Sequence, residues 1–442
     1  MKSLNSQIIR LAIPSILANI TIPLVGLVDI VIAGHIADAA AIGGIAIGTM
    51  LFDLLYWNFA FLRVGTSGIT AQAYGRQDWG ECAGQLRHAL QIALIGAAGI
   101  LLIQWAFVWV AFQLVPCSEA VAAQARTYFF IRVWAAPATL CLFAFKGWFI
   151  GMQDTVSPMV VDIVVNVVNM VVSYCLAVYT PLTISGVAYG TVIAQFTGFV
   201  LSVVFLVVKY PRFFKAIWHR LEHPIERTVH MNTNLFVRSL CFMVIYVGYT
   251  SLSSRYGDEA LAVSSLIMKL FMMFSFFIDG FAYAGEALVG RIVGESQAGR
   301  SSSISGKSLV WVLHGWCIGI ALLFTIVFGL WGTPIMHLLW PDVMTDWNYL
   351  PWLLAMPLIS APAFMWDGIY VGLTASKGIR DAMIASAVAF VAIYVVLMNR
   401  MGIEAVLYAY FAHLVARDVY LTLLWKKYDR AFSSSSVEGS QK

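Results

Sequence analysis

Twelve apolar stretches, each long enough to cross a bilayer, fill almost the whole of this 442-residue chain. A helix needs about 20 predominantly apolar residues to cross the hydrocarbon. Spans are predicted near 8–33, 41–65, 86–113, 124–150, 157–178, 184–208, 234–254, 260–290, 306–331, 349–373, 381–398 and 404–426. The runs are continuous, unlike the alternating segments of a barrel, and lipid cannot satisfy an open sheet edge, so the fold class is an all-α integral membrane protein. Only 11% of the residues are charged, against roughly 25% in a soluble domain. No short apolar stretch ends in a small-residue cleavage site ahead of Leu11, so the first span is expected to stay.

Orientation follows from Lys and Arg, which cytoplasmic loops retain. With the N-terminus inside, eighteen of them fall on cytoplasmic segments, and only Arg126, Arg255 and Arg400 fall on the opposite loops. Both termini are therefore expected in the cytoplasm, in a multi-pass protein of the cell membrane, the inner membrane if the host is Gram-negative. The net charge of +4 is spread over short loops, so it is a topological signal and no nucleic-acid partner is expected. Cys82, Cys117, Cys141, Cys175, Cys241 and Cys317 are widely spaced and mostly within spans, which fits thiols packing as small apolar groups. With no HExxH, GxSxG or GxxxxGK stretch, an enzyme is not expected, nor a resident cofactor. An ion channel and a membrane-embedded transferase are the other classes; the latter needs a His or Asp pair at a reentrant loop, which is not found. Transport or flipping leads.

The longest polar connection, Lys209 to Thr233, divides the chain into an N-terminal lobe 1–208, a cytoplasmic linker 209–233, a C-terminal lobe 234–426 and a tail 427–442 expected to be disordered. Shifting the sequence by about 220 residues brings the lobes into register. Phe61 to Gly75 overlays Gly280 to Gly294 at a shift of 219, and Lys146-Gly147-Trp148-Phe149-Ile150-Gly151 overlays Asp367-Gly368-Ile369-Tyr370-Val371-Gly372 at 221. Two six-helix lobes related along the membrane normal are a recurrent transporter plan, with the substrate site between them near midplane.

Ionisable groups inside spans are Asp29, Lys146, Asp162, Asp279, Glu286 and Asp367. Each costs about 2.5–3.5 kcal/mol at mid-bilayer on insertion scales, so each is expected to face a wet cavity or a partner. Burial also raises a carboxylate's pKa toward neutrality, which proton coupling requires. Pro14 and Pro23 flank the approach to Asp29 and either permit a bend that answers its charge or simply shape a static helix. Asp162, Asn166, Asn169 and Ser173 line one face of the fifth helix, pointing either to the N-lobe cavity or to interhelical hydrogen bonds. Lys146 and Asp367 occupy matching repeat positions and form either an inter-lobe ion pair or, for Lys146, a snorkelling contact. Asp279 and Glu286 lie two turns apart and either line the C-lobe cavity or partner Lys269 or Arg291. Arg63 and Arg417 are expected in packing or headgroup contacts. Many aromatic rings offer walls that stack on flat cations.

The segment Pro14 to His35, especially GLVDIVIAGH, with FLRVGTSGITAQAYG, NVVNMVVS, IDGFAYAGEALVG and WDGIYVGLTAS in order, resembles the multidrug and toxic compound extrusion (MATE) transporters, most closely their DinF branch. The resemblance implies a MATE-type fold of two six-helix lobes around a central cavity, and export of organic, often cationic or amphipathic, compounds by antiport against protons or sodium. It assigns cation coupling to Asp29, with any Na+ bound there transiently, the bend of the first helix to Pro14, and substrate or cation binding in the C-terminal lobe to the acidic position that Asp367 matches. Relatives carry Asn, three on Asn, four on Asp in the fifth helix. Here Asn166 and Asn169 match but Ser173 replaces the acid, which weakens a two-carboxylate proton or sodium site unless Asp162 on the same face supplies the charge. Small organic substrates and membrane lipids are the expected partners of a monomer. Flipping of a lipid-linked oligosaccharide or lipid is the alternative within the superfamily.

Overall fold

The break in the second predicted span shows how local chemistry shapes these long apolar runs. In the computed structural model, which describes residues 3–36, 39–115, 117–217, 225–302, 304–339 and 349–434, the first helix is α1 (Leu4–Ile36). The run near 41–65 then becomes two helices, α2 (Ala39–Trp57) and α3 (Phe61–Arg76). Asn58 donates its side-chain amide to the Leu54 carbonyl at 2.7 Å, and such local bonds compete with the helix ladder. After α4 (Trp79–Leu114), the fourth span also divides, into α5 (Glu119–Arg132) and α6 (Ala136–Gly151), across a 3-10 turn just ahead of Pro137. Proline has no N–H to offer the preceding turn.

The N-terminal half closes with α7 (Val156–Val178), α8 (Ile184–Lys209) and the short α9 (Pro211–Ala216). The C-terminal half holds α10 (Glu226–Ser253), α11 (Asp258–Gln297), α12 (Gly306–Leu339), α13 (Leu350–Gly372), α14 (Ser376–Leu397) and α15 (Glu404–Ser434). Eleven helical stretches among the described residues are long and apolar enough to cross a bilayer, α2–α3 and α5–α6 each counting once. The twelfth predicted span, in α15, is long enough but is interrupted by His413, Arg417 and Asp418. Two expectations shift at the edges. The described parts of the 209–233 linker are largely helical, and α15 runs on to Ser434 through the start of the expected tail; residues 435–442 lie outside the described residues. All six cysteines are free.

The chain forms two compact units. The N-unit comprises 17–73 and 77–229, and the C-unit 1–16, 74–76 and 230–442. The division differs from the predicted lobes because the leading helices trade their first turns: the start of α1 belongs to the C-unit and the start of α10 to the N-unit. In the C-unit, Arg291 Nη2 donates to Gln7 Oε1 at 3.0 Å, and Trp316 Nε1 to Asn5 Oδ1 at 3.1 Å. In the N-unit, Arg227 Nη2 donates to Gln72 Oε1 at 2.7 Å, Arg227 Nη1 meets Glu81 at 3.1 Å, and Thr228 donates to Gln85 at 2.8 Å. Gln7 and Arg227 are repeat mates, as are Gln72 and Arg291. Each unit therefore builds the same joint with donor and acceptor exchanged.

The repeat is also written in the glycines. A Cβ at Gly147 of α6 would overlap the Arg63 carbonyl of α3, and one at Gly368 of α13 would come within 2.5 Å of the Ala282 carbonyl of α11. One turn on, Gly151 meets Ser67 and Thr70, and Gly372 meets Glu286 and Val289. Every one of these positions is matched at the 219 and 221 shifts. Small residues four apart let helix backbones touch, which is how helices associate where lipid supplies no hydrophobic drive. Both motifs end in the same left-handed turn, at Gln153 (φ 63) and Thr374 (φ 53), with Asp154 N donating to Phe149 O and Ala375 N to Tyr370 O. The N-unit turn alone carries an acid. Burial pushes the Asp154 carboxyl up, but bonds from Ser157 and Lys209 outweigh it and hold the group below its ordinary value.

Candidate functional site

In the N-unit the polar face of α7 meets different helices along its length. Near its start, Asp162 Oδ2 accepts from Lys146 Nζ of α6 at 2.5 Å, with the two side chains 22% and 29% exposed. One turn on, Asn166 donates to the Thr21 hydroxyl of α1, which itself donates to the Ala18 carbonyl at 2.6 Å. Beyond that the stripe turns onto α8: Asn169 donates to Thr191 at 2.9 Å, and Ser173 to the Val187 carbonyl at 3.3 Å. Ser173 is buried against Gly190, where any Cβ would overlap it. The position that carries an acid in the resembling relatives is thus a helix-packing hydroxyl here. Asp162 and Asn166 face α6 and α1, whereas Asn169 and Ser173 lie in the α7–α8 contact.

Lys146 and Asp162 bury an ion pair whose halves depend on each other, because removing one partner leaves the other's desolvation uncompensated. Lys146→Met should lower stability by about 1–3 kcal/mol, discounted for partial exposure. Adding Asp162→Leu should recover most of that loss, read as melting temperatures of the purified variants; a double variant no more stable than the single one would contradict the pairing.

In the C-unit, Asp367 of α13 sits between two arginines. Arg238 Nη2 of α10 approaches its Oδ2 at 2.8 Å, and Arg417 Nη1 of α15 approaches the same oxygen at 3.5 Å. Lys146 and Asp367, for which a pair across the lobes is one of two readings, each have a charge partner inside their own unit. Arg417 is only 2% exposed, with its guanidinium 5.2 Å from the Phe364 ring centre. That corrects the expected packing or headgroup role: it is a buried ion-pair partner. Glu286 is buried, its backbone carbonyl against Gly372, and Asp279 lies half-buried two turns earlier on α11. Arg291, one of their alternative partners, engages Gln7 and, at 3.4 Å, Glu295.

Asp29 lies on α1, between the Thr21 contact and the end of the helix, but its side chain is outside the described residues. Pro14 and Pro23 are both inside α1, and the unit boundary falls between them, at Ile16 and Leu17. Among the described residues no group of three His, Cys, Asp or Glu is placed to hold a metal ion. Sequence reasoning passed over Thr21, Thr191, Arg238 and Arg132. Arg132 lies over the Phe52 ring at 4.7 Å and donates to Tyr128. The spacing of His413 and Arg417, four apart on the least apolar span, was a usable signal for Asp367's partner; Arg238 had none.

Two repeat-related helical units, each with an ion pair inside helices long and apolar enough to cross a bilayer, define a polytopic helical membrane protein. The MatE family profile matches residues 14–175. DNA damage-inducible protein F of Escherichia coli K12 is 30% identical over 434 residues, covering 95% of this chain and 92% of that protein. The probable multidrug resistance protein NorM of Neisseria meningitidis is 23% identical, covering 72% of this chain and 70% of its own length. Among solved structures, a MATE in the bent conformation superposes with a TM-score of 0.85 at 17% identity over 98% of this chain and 97% of that one. An outward-facing multidrug resistance MATE family transporter of the MOP superfamily gives 0.84 at 16% identity, with the same coverage. The chain belongs to the MATE family of multidrug and toxic compound efflux transporters, in its DinF branch.

Proposed function

We propose that this protein is a secondary active exporter of organic, often cationic or amphipathic, compounds, driven by antiport against protons or sodium. Asp29 carries the coupling cation, with Asp162 and Asn166 as its polar surroundings. The observation that supports this most is the continuity of α7's polar face with α1. Asn166 bonds Thr21, two turns before Asp29 on the same helix, and the Lys146–Asp162 pair lies one turn away. A change of charge at Asp29 is thereby linked, through about 12 Å of the same helix, to a hydrogen-bonded network able to respond to a shift of α1. The protein works as a monomer in the cell membrane with both termini in the cytoplasm and needs no resident cofactor.

The test is export of a fluorescent organic cation from proteoliposomes under a proton gradient alone and under a sodium gradient alone. One gradient is expected to drive export and the other to have no effect. Export no faster than from protein-free liposomes under either gradient would refute cation-coupled antiport.

A further inference from the structure

We propose that Arg238 and Arg417 form a carboxylate-binding site in the C-unit, which Asp367 occupies as an internal stand-in, so that cargo bearing a carboxylate is recognised there. The N-unit supplies the contrast. At the matching level Lys146 faces Asp162 one to one. In the C-unit Asp367 replaces Lys146, Met383 replaces Asp162, and two arginines converge on a single carboxylate oxygen.

The arginines are underused. A guanidinium binds a carboxylate best through two parallel N–H bonds from one edge of its fork. Arg417 spends Nη1 on Asp367, at 3.5 Å, and on the Met383 sulfur, at 3.7 Å. Its whole Nε–Nη2 edge is buried with no hydrogen-bond partner among the described residues. Arg238 spends Nη2 on Asp367 and leaves Nε likewise unpartnered, as are Asp367 Oδ1 and, one turn before Arg417, His413 Nδ1. The neighbouring acid, Asp418, accepts from Thr422 at 3.5 Å and also lies within the field of Arg417, without reaching its free fork. Buried donors left unmade are costly, and a planar anion matches this set in charge and donor number: two oxygens for the free fork of Arg417, whose guanidinium lies against the Phe364 ring. Arg238 is the accessible member, its side chain 24% exposed against 2% for Arg417. An arriving carboxylate meets Arg238 first and competes with Asp367 for both cations.

The proposal rests on the exporter reading for the delivery of cargo, but its test needs no gradient. Fluorescein, which bears a carboxylate, and rhodamine 123, a related dye with a methyl ester and a positive charge, are titrated against purified full-length protein by fluorescence anisotropy. Fluorescein is expected to bind saturably, and Arg238→Gln to weaken it at least about tenfold, with Arg238→Lys in between because it keeps the charge and loses the fork. Asp367→Asn, which removes the internal competitor, is expected to tighten fluorescein and leave rhodamine 123 no tighter. A merely structural role for the cluster would weaken binding in both variants. Absence of fluorescein binding, equal binding by Arg238→Gln, or weaker binding by Asp367→Asn overturns the site. If Arg238→Gln fails to fold, the direction of the Asp367→Asn change decides alone. Intact fluorescein binding without gradient-driven export counts against the exporter reading only, and the reverse against this site only.

Discussion

Gly147→Val should sharply lower the yield of folded protein in the membrane, and Gly368→Val should do the same from the other half of the chain. At both positions the missing side chain is the space into which a backbone carbonyl fits, Arg63 O in one case and Ala282 O in the other. A flexible side chain could swing aside, but a carbonyl fixed in the backbone of a helix, in the first turn of α3 for Arg63 and well inside α11 for Ala282, cannot move without its turn. Overpacking typically costs about 1–3 kcal/mol and more when the backbone must shift. That is a large part of the about 5–15 kcal/mol that holds a typical protein together. Gly99 and Gly319 are the controls, because a Cβ at either has nothing within 4 Å; valine there should accumulate close to the wild-type level. Fluorescence-detected size exclusion of detergent extracts reads all four variants. A monodisperse peak of wild-type height for Gly147→Val would show that the α3–α6 contact is not what it is described to be.

Asp29→Asn should reduce gradient-driven export to the level of protein-free liposomes while leaving yield and melting temperature near those of the wild type. Asparagine keeps the size and the hydrogen-bonding reach of the acid and removes its charge. An aspartate within a span costs about 2.5–3.5 kcal/mol at the centre of the bilayer, so its loss relieves the fold instead of burdening it. What disappears is the ability to take up and release a cation on a helix whose two portions belong to different units. Undiminished export by the variant under the driving gradient would remove Asp29 from coupling.

The helices and the repeat were legible because both are written in patterns that survive without tertiary information. Apolar length marked the spans, and two short overlays at 219 and 221 marked residues that make equivalent contacts: Gly147 and Gly368, Gly151 and Gly372, Arg63 and Ala282. The breaks at Asn58 and before Pro137 depend on one side-chain bond and one missing N–H, which a window of average hydropathy cannot register. The ion pairs were half legible. Lys146, Asp162 and Asp367 stood out as charges in apolar runs, but their partners depend on which helices lie side by side. Helical spacing says which residues share a face, not which neighbour that face meets, and this is why the stripe from Asp162 to Ser173 divides between α6, α1 and α8. The exchange of helix starts between units was invisible for the same reason, since nothing in Gln7 or Gln72 distinguishes them from any other polar residue near a membrane surface.

That exchange has a consequence for biogenesis. The opening turns of α1 leave the ribosome well before their partner, because the arginine that binds Gln7 lies 284 residues further along. Until α11 has been synthesised and inserted, the start of α1 has no berth, and the N-terminal half expressed alone would lack the place where that start settles. Translation of the second half therefore supplies the partner that the start of the first lacks.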